Sequence, residues 1–95
     1  APEKVGLLFT AFVAIRNDGG VHCREVAPRL RAMPEVLELH SVAGEYDFLA
    51  KIRTTHARGL EEVLYQIKAI AGVARTTSTV VLNTEFEDQP LRLVP

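Results

Sequence analysis

Cysteine is nearly absent from this chain: Cys23 is the only one in 95 residues. A lone cysteine cannot form an internal disulfide. That excludes the stapled secreted domains and suits a reducing compartment. An excess of charge is missing too. The 11 Lys and Arg balance 12 Asp and Glu, for a net charge of -1. Nucleic-acid-binding domains usually carry a basic footprint, and none is present. Long apolar runs are also lacking. The longest, Leu7 to Ile15, is interrupted by Thr10 and is far shorter than the roughly 20 residues that cross a bilayer. No basic segment with a longer apolar core and a small-residue cleavage site marks a secretory leader. His22, His40 and His56 have no ligand-like spacing, so no metal or cofactor is expected. Ser41 and Ser78 have no partnered His in a recognisable context, so no catalytic residue is expected either.

What remains is a composition that folds. At 47% hydrophobic the chain lies well above the disordered class, and its length fits one domain over residues 1–95. A domain this small buries only roughly 60–70% of its unfolded surface, so oligomerisation would help it.

Leu7 to Ile15 reads as a first strand, apolar on both faces and therefore buried on both sides. Arg16 to Gly20 is a loop of turn formers, with Asp18 as helix N-cap. Cys23, Val26, Ala27, Leu30 and Met33 make one apolar stripe of a helix over about Val21 to Ala32, which places Cys23 in the core. Pro28 predicts a kink or a late start within it, and Pro34 ends it. Glu35 to Ala43 and Tyr46 to Thr54 are the second and third strands, a hairpin closed at Gly44-Glu45. Leu60, Val63, Leu64, Ile67 and Ile70 stripe a second helix capped by Thr55, with Tyr65 packing beside it. Gly72 stands where a C′ glycine closes a helix. Val73 to Asn83 is the fourth strand. Glu85 to Gln89 is an acidic, solvated exit, and Pro90 to Pro95 an apolar tail.

The order β-α-β-β-α-β predicts an α+β, ferredoxin-like sandwich: four antiparallel strands with two helices on one face. The uncovered face would carry Leu8, Phe12 and Ala14 of strand one as part of a large apolar patch. Such a patch marks an interface, so a dimer packed sheet to sheet is expected.

Two segments carry the functional signal. Val42-Ala43-Gly44-Glu45-Tyr46-Asp47-Phe48-Leu49 brings two carboxylates and an aromatic to a tight turn. Gly72-Val73 leads into the hydroxyl-rich run Arg75-Thr76-Thr77-Ser78-Thr79-Val80-Val81-Leu82. With Met33-Pro34-Glu35-Val36, these segments resemble the effector-binding domain of the Lrp/AsnC family of feast/famine transcriptional regulators. The resemblance covers about Leu7 to Asn83.

It implies an amino-acid sensor without enzymatic activity, in the cytoplasm. Sheet-to-sheet dimers would assemble into rings of four or five, an octamer or decamer, with small effectors at the contacts between dimers. The turn after strand two and the hydroxyls of strand four would line the pocket. Carried onto this sequence, the effector-binding residues are Gly44, Glu45, Tyr46, Asp47, Thr76 and Ser78, where the family more often has two threonines. Family members normally carry a helix-turn-helix domain before this module, and only Ala1 to Gly6 precede the first strand here. The chain therefore resembles a stand-alone form or an excised domain. Full-length relatives are its implied partners, with no direct DNA or membrane contact.

The residues alone leave plainer readings open. The turn can be a solvated hairpin, and threonines are good strand formers. Arg75 can meet a ligand carboxylate, or Glu45 or Asp47 of a neighbour, a surface ion pair being the commoner outcome. A rival class is a small monooxygenase-like enzyme in a dimeric ferredoxin-like barrel, which a buried His40 would favour. A third is an RNA-binding sheet, for which strand three offers Phe48, Lys51 and Arg53 but no full motif.

Overall fold

The computed structural model of the chain describes residues 8–92. Leu7, at the expected start of strand one, and residues 93–95 of the tail lie outside the described residues. Four strands and two helices follow in order: β1 (Phe9–Asn17), α1 (Val26–Arg31), β2 (Val36–Ser41), β3 (Phe48–Thr54), α2 (Ala57–Lys68) and β4 (Val73–Val80). The strands form one sheet in the order β2-β3-β1-β4, every neighbouring pair antiparallel. This is the ferredoxin-like arrangement expected from the sequence.

The core lies between the sheet and the helices. Ala11, Val13 and Ile15 of β1 alternate inward and pair with Ile52, Ala50 and Phe48 of β3. Val26 and Leu30 of α1 and Leu60, Val63 and Ile67 of α2 close over them. The α2 stripe works as its spacing predicts: these three are buried, while Arg58, Glu61, Glu62 and Lys68 are exposed. Tyr65, expected to pack, is exposed instead.

The first helix starts late, one of the two outcomes that Pro28 predicts, while several other local expectations change. A 3-10 turn over Cys23–Glu25 precedes α1, which puts Pro28 in the first α-helical turn, where its missing N–H is no loss. Cys23, on that tighter turn, is half-buried and outside the core. Asp18 does not cap the helix. Its Oδ1 accepts from the Gly20 N–H at 2.7 Å, closing the loop on itself. The cap of α2 is His56, one residue beyond Thr55, and its Nδ1 accepts from the Gly59 N–H at 2.9 Å. Gly72 lies beyond the C-cap residue of α2, Ala69, in a separate turn closed by Val73 N–H to Ile70 O at 3.1 Å. Strands two, three and four are shorter than the sequence suggests, and β2 carries an irregularity between Val36 and Glu38.

The face of the sheet away from the helices is mixed rather than broadly apolar. Phe12, Ala14 and Leu49 share it with Thr10, Glu38, His40, Lys51, Arg53, Thr77 and Thr79. Hence β1 is fully buried on one face only, and Phe12 stays 36% exposed. Arg53 Nε donates to Thr10 Oγ1 at 2.9 Å.

The acidic exit is no free end. Glu87 returns to this face, where Lys51 Nζ donates to its Oε2 at 2.9 Å and Arg53 lies 3.6 Å away. The hydrogen bond to Glu87 is the main cause that raises the Lys51 ammonium above its ordinary value, against an opposing effect of burial. The same bond holds the Glu87 carboxyl below the usual carboxylate range.

Candidate functional site

The turn between β2 and β3 is built at its base by backbone. Val42 N–H donates to Asp47 O at 3.0 Å, and Asp47 N–H donates to Ile15 O at 2.9 Å. Asp47 then adds a side-chain latch: its Oδ2 accepts from the Asn17 N–H at 2.7 Å. The carboxylate thus ties the turn to the end of β1. Gly44 takes φ +144°, which an L side chain rarely adopts, and a Cβ there would meet nothing within 4 Å. Beside the latch, Asn17 Oδ1 is buried and has no hydrogen-bond partner among the described residues.

From this base the turn reaches across β1 to β4. The hydroxyls of Tyr46 and Thr77 are hydrogen-bonded at 2.7 Å. Arg75 Nη2 lies 3.1 Å from Glu45 Oε2, and its guanidinium sits 5.4 Å from the centre of the Tyr46 ring, a cation–π stack. An acid, a base, two hydroxyls and an aromatic ring therefore meet at one end of the sheet. Such a set offers acceptors to an ammonium and donors to a carboxylate.

The six expected effector-binding residues do not all fall in this cluster. Glu45 and Tyr46 are in it, Gly44 shapes the turn, and Asp47 anchors it. Thr76 and Ser78 pair in register with Ile15 and Val13, so they share the helix-side face of the sheet. Thr77, in register with Ala14, shares the opposite face and takes the Tyr46 hydroxyl. Thr76 lines a depression of about 300 Å³ at the β4 edge together with Lys68, Val73, Ala74 and Arg75. Arg75 alternates with Thr76 along β4, so the turn cluster and Thr76 lie on opposite faces of the sheet. Ser78 is exposed beyond it.

Thr77 was missed from the sequence, and Arg75 was seen only as a possible contact of a ligand or a neighbour. Their i, i+2 spacing puts both on one face of a strand, which is the signal that was present.

A larger open groove of about 600 Å³ runs between α1 and β2, lined by Pro28, Arg31, Val36, Leu39, Ser41 and Phe48 among others. Ser41 and Phe48 flank the turn, so the groove reaches its base. His40 lies on the open face, exposed, with Nε2 3.1 Å from Glu38 Oε1. It is not buried in a cavity. Among the described residues no group of three or more His, Cys, Asp or Glu could hold a metal ion, and no helix is long and apolar enough to cross a membrane.

Comparison with known proteins places this geometry. Residues 10–91 match the Lrp/AsnC ligand binding domain family. The transcriptional regulator LrpA of Mycobacterium tuberculosis is 41% identical over 88 residues, which make up 93% of this chain and 58% of that protein. This chain therefore spans about three fifths of that relative's length. A feast or famine regulatory protein of M. tuberculosis, solved with L-methionine, superposes with a TM-score of 0.80 at 40% identity, covering 96% of this chain and 61% of that one. A transcriptional regulator from Neisseria meningitidis in complex with L-Met gives a TM-score of 0.82 at 29% identity, covering 97% and 61%. A homocitrate synthase of Sulfurisphaera tokodaii is 29% identical over 82 residues, only 17% of that enzyme. With most of its length matched by the family's ligand-binding domain and 41% identity to a curated regulator, the chain belongs to the Lrp/AsnC family.

Proposed function

We propose that this chain is an amino-acid-sensing module of the Lrp/AsnC family, acting in the cytoplasm through assembly rather than through chemistry of its own. The observation that carries this reading is the meeting of the turn with β4. Glu45, Tyr46, Arg75 and Thr77 bring both charges and two hydroxyls to one place, on elements held by the sheet. Two relatives solved with methionine support an amino acid as the effector class. Gly44, Glu45, Tyr46 and Asp47 supply the turn side of the pocket. Thr76 and Ser78, on the helix side of β4, supply hydroxyls where dimers meet in a ring of four or five. A ligand bridging two dimers would favour the assembled ring by its differential affinity for that state. Sheet-to-sheet packing through the mixed open face forms the dimer in this reading. Other members of the family are its partners in this reading. The apolar filling of the core and the exposed position of His40 disfavour the monooxygenase-like alternative.

The test is a thermal-shift screen against all twenty amino acids, with light scattering on the same samples. A selective rise in melting temperature together with a change in mass is the expected result. No shift with any amino acid would overturn the effector class. A shift without a change in mass would overturn control of assembly.

A further inference from the structure

The Glu45–Arg75 ion pair is exposed on both sides, with side-chain exposures of 65% and 53%. A pair so open contributes little to folding. Yet the two residues are 30 apart in sequence, so tertiary structure brings them together. Arg75 is also supported from beneath by the Tyr46 ring, and the Tyr46 hydroxyl is taken by Thr77. Each polar side chain of the cluster is thus paired with another member. The charged groups suited to an amino acid already hold a carboxylate and a cation, which are each other. The Arg75 guanidinium is itself half exposed, so a ligand carboxylate can reach it from solvent.

Resting on the amino-acid reading above, we propose that an α-amino acid binds by exchanging partners with the Glu45–Arg75 pair. The ligand carboxylate takes Arg75, and the ligand ammonium takes Glu45. Before binding there is one ion pair and a solvated zwitterion; afterwards there are two ion pairs. The exchange leaves net charge unchanged. It also sets a specificity rule. A ligand with only a carboxylate captures Arg75 and leaves Glu45 unpaired, and a ligand with only an amine does the reverse. Both must compete with the internal partner for a single new contact, so the zwitterion is selected over either half. The Tyr46 ring keeps the guanidinium in place once Glu45 lets go.

The experiment is isothermal titration of the full chain with L-methionine, L-methioninamide and N-acetyl-L-methionine, in the wild type, E45Q and R75Q. If another amino acid gives the largest shift in the twenty-acid screen, it is used with its own amide and N-acetyl derivative. The wild type is expected to bind the amino acid about tenfold or more tightly than either derivative, as loss of a charge-assisted hydrogen bond predicts. E45Q should bind the amino acid about tenfold more weakly. It should also bind the N-acetyl derivative more tightly than the wild type does, because Arg75 has lost its internal competitor. R75Q should show the mirror pattern with the amide. Both substitutions lie on the surface, so unchanged melting curves are expected. If each variant weakens all three ligands alike, or leaves the amino acid untouched, partner exchange is wrong while amino-acid sensing stands. If the wild type takes up none of the twenty amino acids, both fall together.

Discussion

Two glycines take positive φ ahead of strands at the same end of the sheet: Gly44, at +144°, before β3, and Gly72, at +104°, before β4. Their backbones ask for glycine on similar grounds. Their surroundings differ. A Cβ at Gly72 would stand 2.8 Å from the carbonyl oxygen of His22 and 2.9 Å from Val26 Cγ2. The Gly72 carbonyl also accepts from the Asp18 N–H at 2.8 Å. Here the loop leading to α1 is pressed against the entry to β4, and glycine is required by space as well as by angle. Around Gly44 there is no such neighbour. One turn closes the fold, and the other is left open beside an acid, a base and two hydroxyls. Unfilled room next to groups of that kind is what a ligand needs, whereas a filled turn has only a structural task.

The contrast predicts unequal costs. Gly72→Ala should be the most damaging change, because it adds positive-φ strain to a clash with backbone that cannot step aside. A loss of about 3 kcal/mol or more is expected, and a melting temperature lower by about 12 °C or more. A loss under about 1 kcal/mol would remove the distinction between the turns. Asp47→Ala comes next. It strips the acceptor from the Asn17 N–H and should cost about 1–2 kcal/mol, with ligand affinity falling because the turn loosens. Asp47→Asn keeps an oxygen in place and should recover much of the loss in the same denaturant titration. Gly44→Ala carries strain without a clash, so about 1 kcal/mol is expected. Measured side by side, it must be clearly milder than Gly72→Ala. Smaller still are Glu45→Gln and Arg75→Gln, each below about 1 kcal/mol in stability, with their effect appearing in ligand titrations instead.

How much of this could be read from the sequence follows from which contacts are periodic. β1, β3 and α2 were legible because Ala11, Val13 and Ile15 alternate strictly, as do Ala50 and Ile52, while Leu60, Val63 and Ile67 follow the helical stripe. The start of α1 was less so, because a 3-10 turn carries its first residues and shifts Pro28 into a tolerated place. The cap of α2 fell to His56 rather than Thr55, since side-chain chemistry allows either and only the backbone path decides. The turn at Gly44 was visible as a turn. The partners on β4 were not, for a reason of parity. Thr76, Thr77, Ser78 and Thr79 all carry hydroxyls, so alternation within the run cannot say which face each takes. Only the register with β1, Ile15 opposite Thr76 and Ala14 opposite Thr77, resolves it. The return of Glu87 onto Lys51 spans 36 residues and leaves no local trace at all.

That return provides the smallest prediction and a third kind of contact to set beside the two turns. Glu87 is held below the usual carboxylate range chiefly by the Lys51 hydrogen bond, and Lys51 is raised above its ordinary value by the same bond. The signs fix a window. A depressed carboxyl contributes above its ordinary titration range, and that contribution is lost as pH falls through the depressed value. A raised ammonium contributes below its ordinary range, and that is lost as pH rises through the raised value. Docking of the exit segment should therefore hold from mildly acidic to mildly alkaline pH and weaken at both extremes. Both partners reach solvent, so added salt should weaken it as well. Hydrogen exchange of the segment around Glu87 is the direct readout: protection at neutral pH, reduced in acid and by Glu87→Gln. The Gly72 turn, secured by backbone and packing, should keep its protection in the same samples. If the exit segment and that turn lose protection together in acid, the segment is part of the cooperative fold, and its ion pairs are not what holds it down.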